Sequence, residues 1–182
     1  TKTKPLWNKN TIFCMSLSKV GMPGVRTGIV IANDSIIKTI RNMNAAINLA
    51  TANFGPMIAN DLVRSGDLVR LSTEEIKPYY KNKMEHAISI IRREFSDIDY
   101  YIHVPEGAIF LWLWLPNLNI TSDDLYERLK IRGVLIISGS HFFPGLEGGW
   151  KHQKQCLRIT YSMEKNVVEK GIATIADEIR SI

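Results

Sequence analysis

The chain has 182 residues, 45% of them hydrophobic, which is enough to bury a sizeable core. Its formal charge of +5 comes from basic residues interleaved with acids, without a long basic run or a nucleic-acid-binding motif, so it reads as solvated faces rather than a nucleic-acid surface. No apolar run approaches the ~20 residues of a membrane span, the N-terminus lacks a signal-peptide pattern, and His86, His103, His141 and His152 lack metal-ligand spacing.

In chain order, residues 12–15 are apolar and read as a buried strand. It delivers Ser16-Leu17-Ser18-Lys19 into a turn built on Gly21, Pro23 and Gly24. Arg26 follows seven residues after the lysine, and residues 28–32 form a second strand. Residues 34–50 suit a helix, with Asn33 or Asp34 as N-cap and Ile36, Ile37, Ile40, Met43 and Ile47 as the apolar face. Gly55-Pro56 opens another, carrying Met57, Ile58, Leu62 and Val63 and stopped by Gly66. Ser72 with Glu75 fits a capping box, and Leu71 with Ile76 the hydrophobic staple around it. Pro78 would then fall in the sixth helical position, where it costs about 3 kcal/mol in a straight helix. The helix is therefore expected to restart or kink there, with Tyr80, Met84, Ile88, Ile91 and Phe95 repeating at helical spacing beyond it.

Residues 109–115 read as a strand with Trp112 and Trp114 on one face and Leu111, Leu113 and Leu115 on the other; both tryptophans are expected in the core. Thr121 with Asp124 forms a second capping-box pattern and Ile120 with Leu125 a second staple, on a helix that runs to Arg132 and stops at Gly133. Residues 134–137 and 156–161 are further strands, and a final helix from about Glu164 places Val167, Val168, Ile172, Ile175, Ile179 and Ile182 on its apolar side. Cys14 and Cys156 both fall in apolar strand-like runs and are expected to be buried free thiols in a reducing, cytoplasmic setting.

A lysine at the end of a buried strand is costly unless it is partnered or chemically used. Serines, turn amides and an arginine can hold a phosphate. A lysine amine beside such a site is what a pyridoxal phosphate enzyme needs to form its Schiff base. On spacing alone, an ordinary strand–turn–strand with a solvated lysine fits equally well. A third reading makes Ser16 the nucleophile and Lys19 the base of an S-x-x-K motif. Its companions S-D-N and K-T-G are missing: Ser96-Asp97-Ile98 and Ser122-Asp123-Asp124 do not fit, and Arg26-Thr27-Gly28 lies too close to the lysine. Arg158, between Leu157 and Ile159, reads on its own as an edge or interface residue.

The segment from Ser16 to Gly28 resembles the Schiff-base motif of the fold-type I aminotransferases, roughly S-x-S-K-x-x-x-P-G-x-R-x-G. The likeness runs from Trp7 to near the end. It includes Asn42-Met43-Asn44, the Pro105-Glu106-Gly107 turn with its Trp-rich strand, His141-Phe142-Phe143-Pro144-Gly145-Leu146, and Cys156-Leu157-Arg158-Ile159. The Trp-rich strand and the Phe-Phe-Pro-Gly loop are similar to the branch that exchanges an amino group between valine and pyruvate, giving alanine and 2-oxoisovalerate.

The resemblance implies an α/β (α+β) architecture: residues 1–75 as the C-terminal part of the large cofactor-binding domain, and residues 76–182 as a linker helix and small C-terminal domain. It implies pyridoxal 5'-phosphate as cofactor and amino acids and 2-oxo acids as substrates. It also implies a homodimer in the whole enzyme, with no nucleic-acid or membrane partner. Lys19 becomes the Schiff-base lysine and proton carrier, which works as a base only as the neutral amine. Arg26 becomes the bidentate phosphate contact, with Ser16, and less so Ser18, on the same phosphate. Arg158 becomes the clamp on the substrate α-carboxylate, a group common to every substrate. His141, Phe142 and Phe143 could reach the substrate pocket or simply pack the loop. Other fold-type I activities, carbon–sulfur lysis or decarboxylation, would use the same lysine, and a non-catalytic regulatory domain would retain the fold alone.

The family's remaining machinery precedes the lysine: an aspartate on the pyridine nitrogen, a helix N-terminus under the phosphate, and a ring stacked on the cofactor. Only 18 residues precede Lys19, and they contain neither Asp nor Glu. The chain is therefore expected to be a C-terminal fragment that binds the cofactor weakly, if at all, and is inactive alone.

Overall fold

The computed structural model describes residues 7–146 and 149–182, which fall into two compact units divided between Lys77 and Pro78.

In the first unit, β1 (Phe13–Ser16) and β2 (Gly28–Ile31) pair antiparallel, with Phe13 opposite Ile31 and Ser16 opposite Gly28. Two 3-10 turns, Leu17–Val20 and Pro23–Val25, connect them. Helix α1 (Asp34–Asn48) starts as expected: the Asn33 side chain accepts from the Ile36 amide at 3.1 Å. Helix α2 (Phe54–Ser65) ends at Gly66, whose φ of 79° is the left-handed turn that glycine adopts without a Cβ penalty.

The buried strand expected at residues 12–15 is not found. Ile12, Cys14 and Met15 are exposed, as are Val30 and Ile31 opposite them. A two-stranded ribbon needs a further layer to bury either face, and residues 7–77 supply none. Cys14 is consequently an exposed thiol. The apolar face of α1 is likewise uncovered, with Met43 and Ile47 exposed and no residue of the helix buried.

The capping box at Ser72 does not form either. Ser72 is already helical at φ −60°, ψ −38°, because the chain turns helical at α3 (Asp67–Leu71) and stays so to the end of α4 (Lys77–Glu94). Between them Ser72–Ile76 is a π-helical turn, and the Lys77 amide donates to the Ser72 carbonyl. The wide turn directly precedes Pro78, whose ring and missing N–H disrupt a regular i→i−4 ladder. Pro78 is accommodated by a π-turn rather than by a fresh helix start.

The second unit holds a four-stranded antiparallel sheet in the order β3-β4-β6-β5, made of Tyr101–Ile102, Phe110–Trp114, Cys156–Thr160 and Ile137–Ser138. Leu111, Leu113, Leu157 and Ile159 point to one face. There they pack with Ile90, Ile91 and Phe95 of α4, Leu125 and Leu129 of α5 (Ser122–Ile131), and Val168, Ile172 and Ile175 of α6 (Lys165–Arg180). The capping box at Thr121 forms in full: Asp124 N–H donates to Thr121 Oγ1 at 3.1 Å, and Thr121 N–H to Asp124 Oδ2 at 3.2 Å.

Three expectations shift. The strand placed at 134–137 starts at Ile137, because the Val134 amide is still bonded to the Leu129 carbonyl at the helix end. Val167 is exposed, facing away from the stripe that Val168 and Ile172 bury. Trp112 and Trp114 are not in the core: the strand alternation carries them to the opposite face, where both are half-buried.

Candidate active site

The turn after β1 gathers Ser16, Ser18, Lys19 and Arg26 within one strand–turn–strand. Ser16 N-caps the first 3-10 turn, its Oγ accepting from the Ser18 amide at 3.2 Å. Gly21 closes that turn at φ 105°, and its amide donates to the Leu17 carbonyl. The Leu17 amide donates across to the Thr27 carbonyl at 3.1 Å, which closes the base of the loop. Leu17 is the buried anchor, whereas Lys19 beside it is exposed rather than enclosed at a strand end.

Arg26 ends the second 3-10 turn in the left-handed region, φ 47° and ψ 40°. A side chain there costs about 1–2 kcal/mol, and such strain concentrates at functional sites. Two contacts hold it. Thr27 Oγ1 donates to the Val25 carbonyl at 2.8 Å, and Gly55 of α2 approaches both so closely that any Cβ on it would collide. The Arg26 guanidinium is exposed and has no hydrogen bond or ion pair among the described residues. The donor set of two hydroxyls, a guanidinium and a primary amine has the chemistry to take a phosphate-bearing aldehyde.

Arg158 belongs to the second unit. β6 lies between β4 and β5, so Arg158 is on an interior strand, opposite Trp112 on one side and Ile137 on the other. It is not an edge residue. It shares the face of Phe110, Trp112 and Trp114, across the sheet from the core. Its Cζ lies 4.3 Å from the Phe110 ring centroid and 4.7 Å from that of Phe142. Its Nε is buried without a hydrogen-bond partner, and no carboxylate pairs with it among the described residues.

Around the arginine this face is aromatic. Phe142 meets Trp112 edge-on at 5.2 Å, Trp114 contacts His152 at 4.8 Å, and His152 contacts Trp150 at 4.7 Å. Cys156 is sealed beneath, its Sγ 3.5 Å from His152 Nε2, and burial pushes its thiol up to about 11. Phe142 is fixed through its own turn. Gly139 packs on β6 with no room for a side chain: a Cβ would stand 2.5 Å from that of Cys156. Ser138 Oγ and Ser140 Oγ lie 3.0 Å apart, and Ser140 Oγ donates to Asp123 Oδ1 at 3.0 Å.

The sequence singled out Phe142 but left its role open, and it did not associate Phe110 with Arg158. The alternation of Phe110, Trp112 and Trp114 was a visible signal. What it lacked was the register of β4 on β6, which depends on residues some forty-five positions apart.

The aminotransferase class I and II family matches residues 5–175. The valine–pyruvate aminotransferase of Escherichia coli is 49% identical over 98% of the chain, which spans 43% of that protein. The crystal structure of valine-pyruvate aminotransferase from Salmonella typhimurium is 49% identical with a TM-score of 0.91, over 99% of this chain and 46% of that one. A crystal structure assigned to an amino-acid aminotransferase from Psychrobacter arcticum is 41% identical with a TM-score of 0.94, over 100% of this chain and 42% of that one. The chain thus spans under half the length of these relatives.

Proposed function

The chain belongs to the aminotransferase class I and II family, and from that premise we propose that it forms the lysine and carboxylate-arginine side of a valine–pyruvate transaminase. The observation that carries the reading is Arg158, an interior-strand guanidinium left without a carboxylate partner. A half-buried guanidinium with its Nε buried and no counter-ion suits an incoming carboxylate, and every amino-acid and 2-oxo-acid substrate of this exchange has one.

In this reading Lys19 Nζ binds the cofactor and holds and moves the proton of the substrate α-carbon. Arg26 makes a bidentate contact to the cofactor phosphate, with Ser16 and Ser18 as hydroxyl partners. Arg158 fixes the α-carboxylate and thereby orients the α-carbon. Pyridoxal 5'-phosphate supplies the aldehyde and the ring that delocalises the electron pair released at that carbon. A valine or alanine side chain offers only apolar area, so side-chain selectivity is modest, about 1–3 kcal/mol per methylene.

The remaining parts of the reading are a cytoplasmic homodimer and a whole enzyme that covers the exposed apolar faces of the ribbon, α1 and α2. No helix among the described residues is long and apolar enough to cross a membrane, and no group of His, Cys, Asp and Glu there could hold a metal.

The test is product analysis of the holoenzyme given valine and pyruvate. Alanine and 2-oxoisovalerate in equal amounts support transamination. Ammonia or carbon dioxide in their place indicates a lyase or decarboxylase, and the absence of any product a non-catalytic domain. Residues 1–182 alone are expected to bind pyridoxal 5'-phosphate weakly and to show no turnover.

A further inference from the structure

The second unit holds Arg158 in an unusual way. A carboxylate beside a guanidinium would fix it, but would occupy the N–H donors that a substrate needs. An aromatic ring attracts the cation through its face and uses none of those donors. Phe110 and Phe142 lie 4.3 and 4.7 Å from Arg158 Cζ. Their arrangement differs in one respect. Phe110 is on β4 and set by the sheet, whereas Phe142 comes from a short 3-10 turn, Gly139–Phe142, outside the strand ladder, and reaches the sheet through its ring alone. That turn is pinned by Gly139 on Cys156 and by the Ser138–Ser140–Asp123 hydroxyl chain, and the Phe142 ring is braced edge-on by Trp112.

We propose that Phe142 is a positioning residue for substrate binding. Its ring holds the Arg158 guanidinium in place and partly offsets its desolvation, while leaving its donors open for the substrate carboxylate. The inference rests on the reading of Arg158 as the carboxylate contact. It makes a demand that a pocket-lining role does not. The carboxylate is common to all substrates, so loss of the ring penalises each of them equally, whatever the side chain.

The experiment is steady-state kinetics of the holoenzyme with valine, alanine, pyruvate and 2-oxoisovalerate. Phe142→Leu keeps an apolar side chain and removes the π face. Phe142 is 39% exposed and Arg158 half-buried, so the substitution is expected to raise KM for all four substrates by about threefold to fivefold with kcat within about twofold, the scale of one cation–π contact in a partly solvated site. Phe142→Tyr restores the ring and should recover most of the loss. In an Arg158→Gln background, Phe142→Leu should add nothing further, since the ring acts through the guanidinium. An increase confined to valine and 2-oxoisovalerate would overturn the proposal, because the ring would then be packing on the side chain. Equal effects of Leu and Tyr, or an unchanged KM in F142L, would also overturn it. If Arg158→Gln alone leaves every KM unchanged, the carboxylate reading itself fails, and that outcome is separate from the others. Unfolding midpoints of the variants, matched to the parent's, separate lost positioning from lost folding.

Discussion

The two units divide the proposed chemistry and differ sharply in how they are held. Residues 78–182 enclose a continuous core in which Ile91, Phe95, Leu111, Leu113, Leu125, Leu129 and Leu157 are all at most 1% exposed. Residues 7–77 bury only Leu17 and Ala59 among their apolar side chains, while Ile47, Phe54 and Met57 are each more than 70% exposed. The unit with Arg158 has its own source of stability. The unit with Lys19 has well-formed local structure, through caps, turns and one ribbon, but little apolar burial to support it. A local hydrogen bond contributes only about 0.5–1.5 kcal/mol net, far below the ordering cost of tens of residues.

The largest test of that contrast is all-or-none. Residues 78–182 expressed separately should unfold cooperatively in urea, with protected amides in β4, β6 and α6. Residues 1–77 should show no cooperative transition. A sharp transition in the shorter piece would break the comparison, since it would mean that caps and turns suffice where a core is absent.

The two thiols sample the same difference at single sites. Cys14 on the ribbon is exposed, and Cys156 on the central strand is fully buried with its thiol pushed up to about 11. At pH 8 a group with that value is ionised to about one part in a thousand, and only the thiolate reacts. A maleimide-type reagent should therefore modify one cysteine per chain quickly, and the second more than about a thousandfold slower until denaturant is added. Mass spectrometry of digests would identify the fast site as Cys14. Rapid labelling of Cys156 would show that the cover of His152 and its neighbours opens readily.

Core truncations should scale in the same way. Phe95→Ala removes a ring that is 1% exposed and should lower stability by about 3–5 kcal/mol. Ile47→Ala, on a side chain that is 74% exposed, should change it by less than about 0.5 kcal/mol. Urea midpoints of the whole chain measure both. A large loss at Ile47 would mean that something covers the α1 face in solution.

Local signals in the sequence succeed or fail here for a physical reason. Ser72 and Thr121 carry similar capping-box patterns, yet only Thr121 caps a helix. Before Thr121 the chain is extended, so the first amides of α5 need side-chain acceptors. Before Ser72 it is already helical from Asp67, so backbone carbonyls take those amides and the serine remains in the helix interior. Burial was misread for a related reason. Apolar composition at 12–15 states that a strand should be covered, but covering requires another layer, and none lies within residues 7–77. The alternation of Trp112 and Trp114 with Leu111 and Leu113 was legible, because period two is local. Which of the two faces is core was not, because α4, α5 and α6 decide it. The lysine turn and the Leu-Arg-Ile strand could be read as chemistry-bearing segments. The aromatic setting of Arg158 could not, since Phe110, Phe142 and Arg158 meet only through strand order.

The smallest expected effect belongs to the ion pair that ties the end of α6 to the loop after α4. Arg180 donates from Nε to Asp97 Oδ2 at 2.8 Å and from Nη2 to Oδ1 at 2.7 Å, and its Nη2 also donates to the Glu94 carbonyl. The arginine's hydrogen bonds hold the Asp97 carboxyl below its ordinary value. A carboxyl depressed in the folded state contributes stability that is present above its unfolded pKa of about 3.9 and is lost as pH falls through the folded value. Asp97→Asn should therefore lower the unfolding midpoint slightly at pH 7, and by progressively less below pH 4. Both groups are exposed, so salt should shrink the difference at neutral pH as well. The pair lies entirely within the unit that has a core, where packing already orders both partners. An effect comparable to Phe95→Ala would mean that this unit depends on surface charge far more than its buried leucines imply.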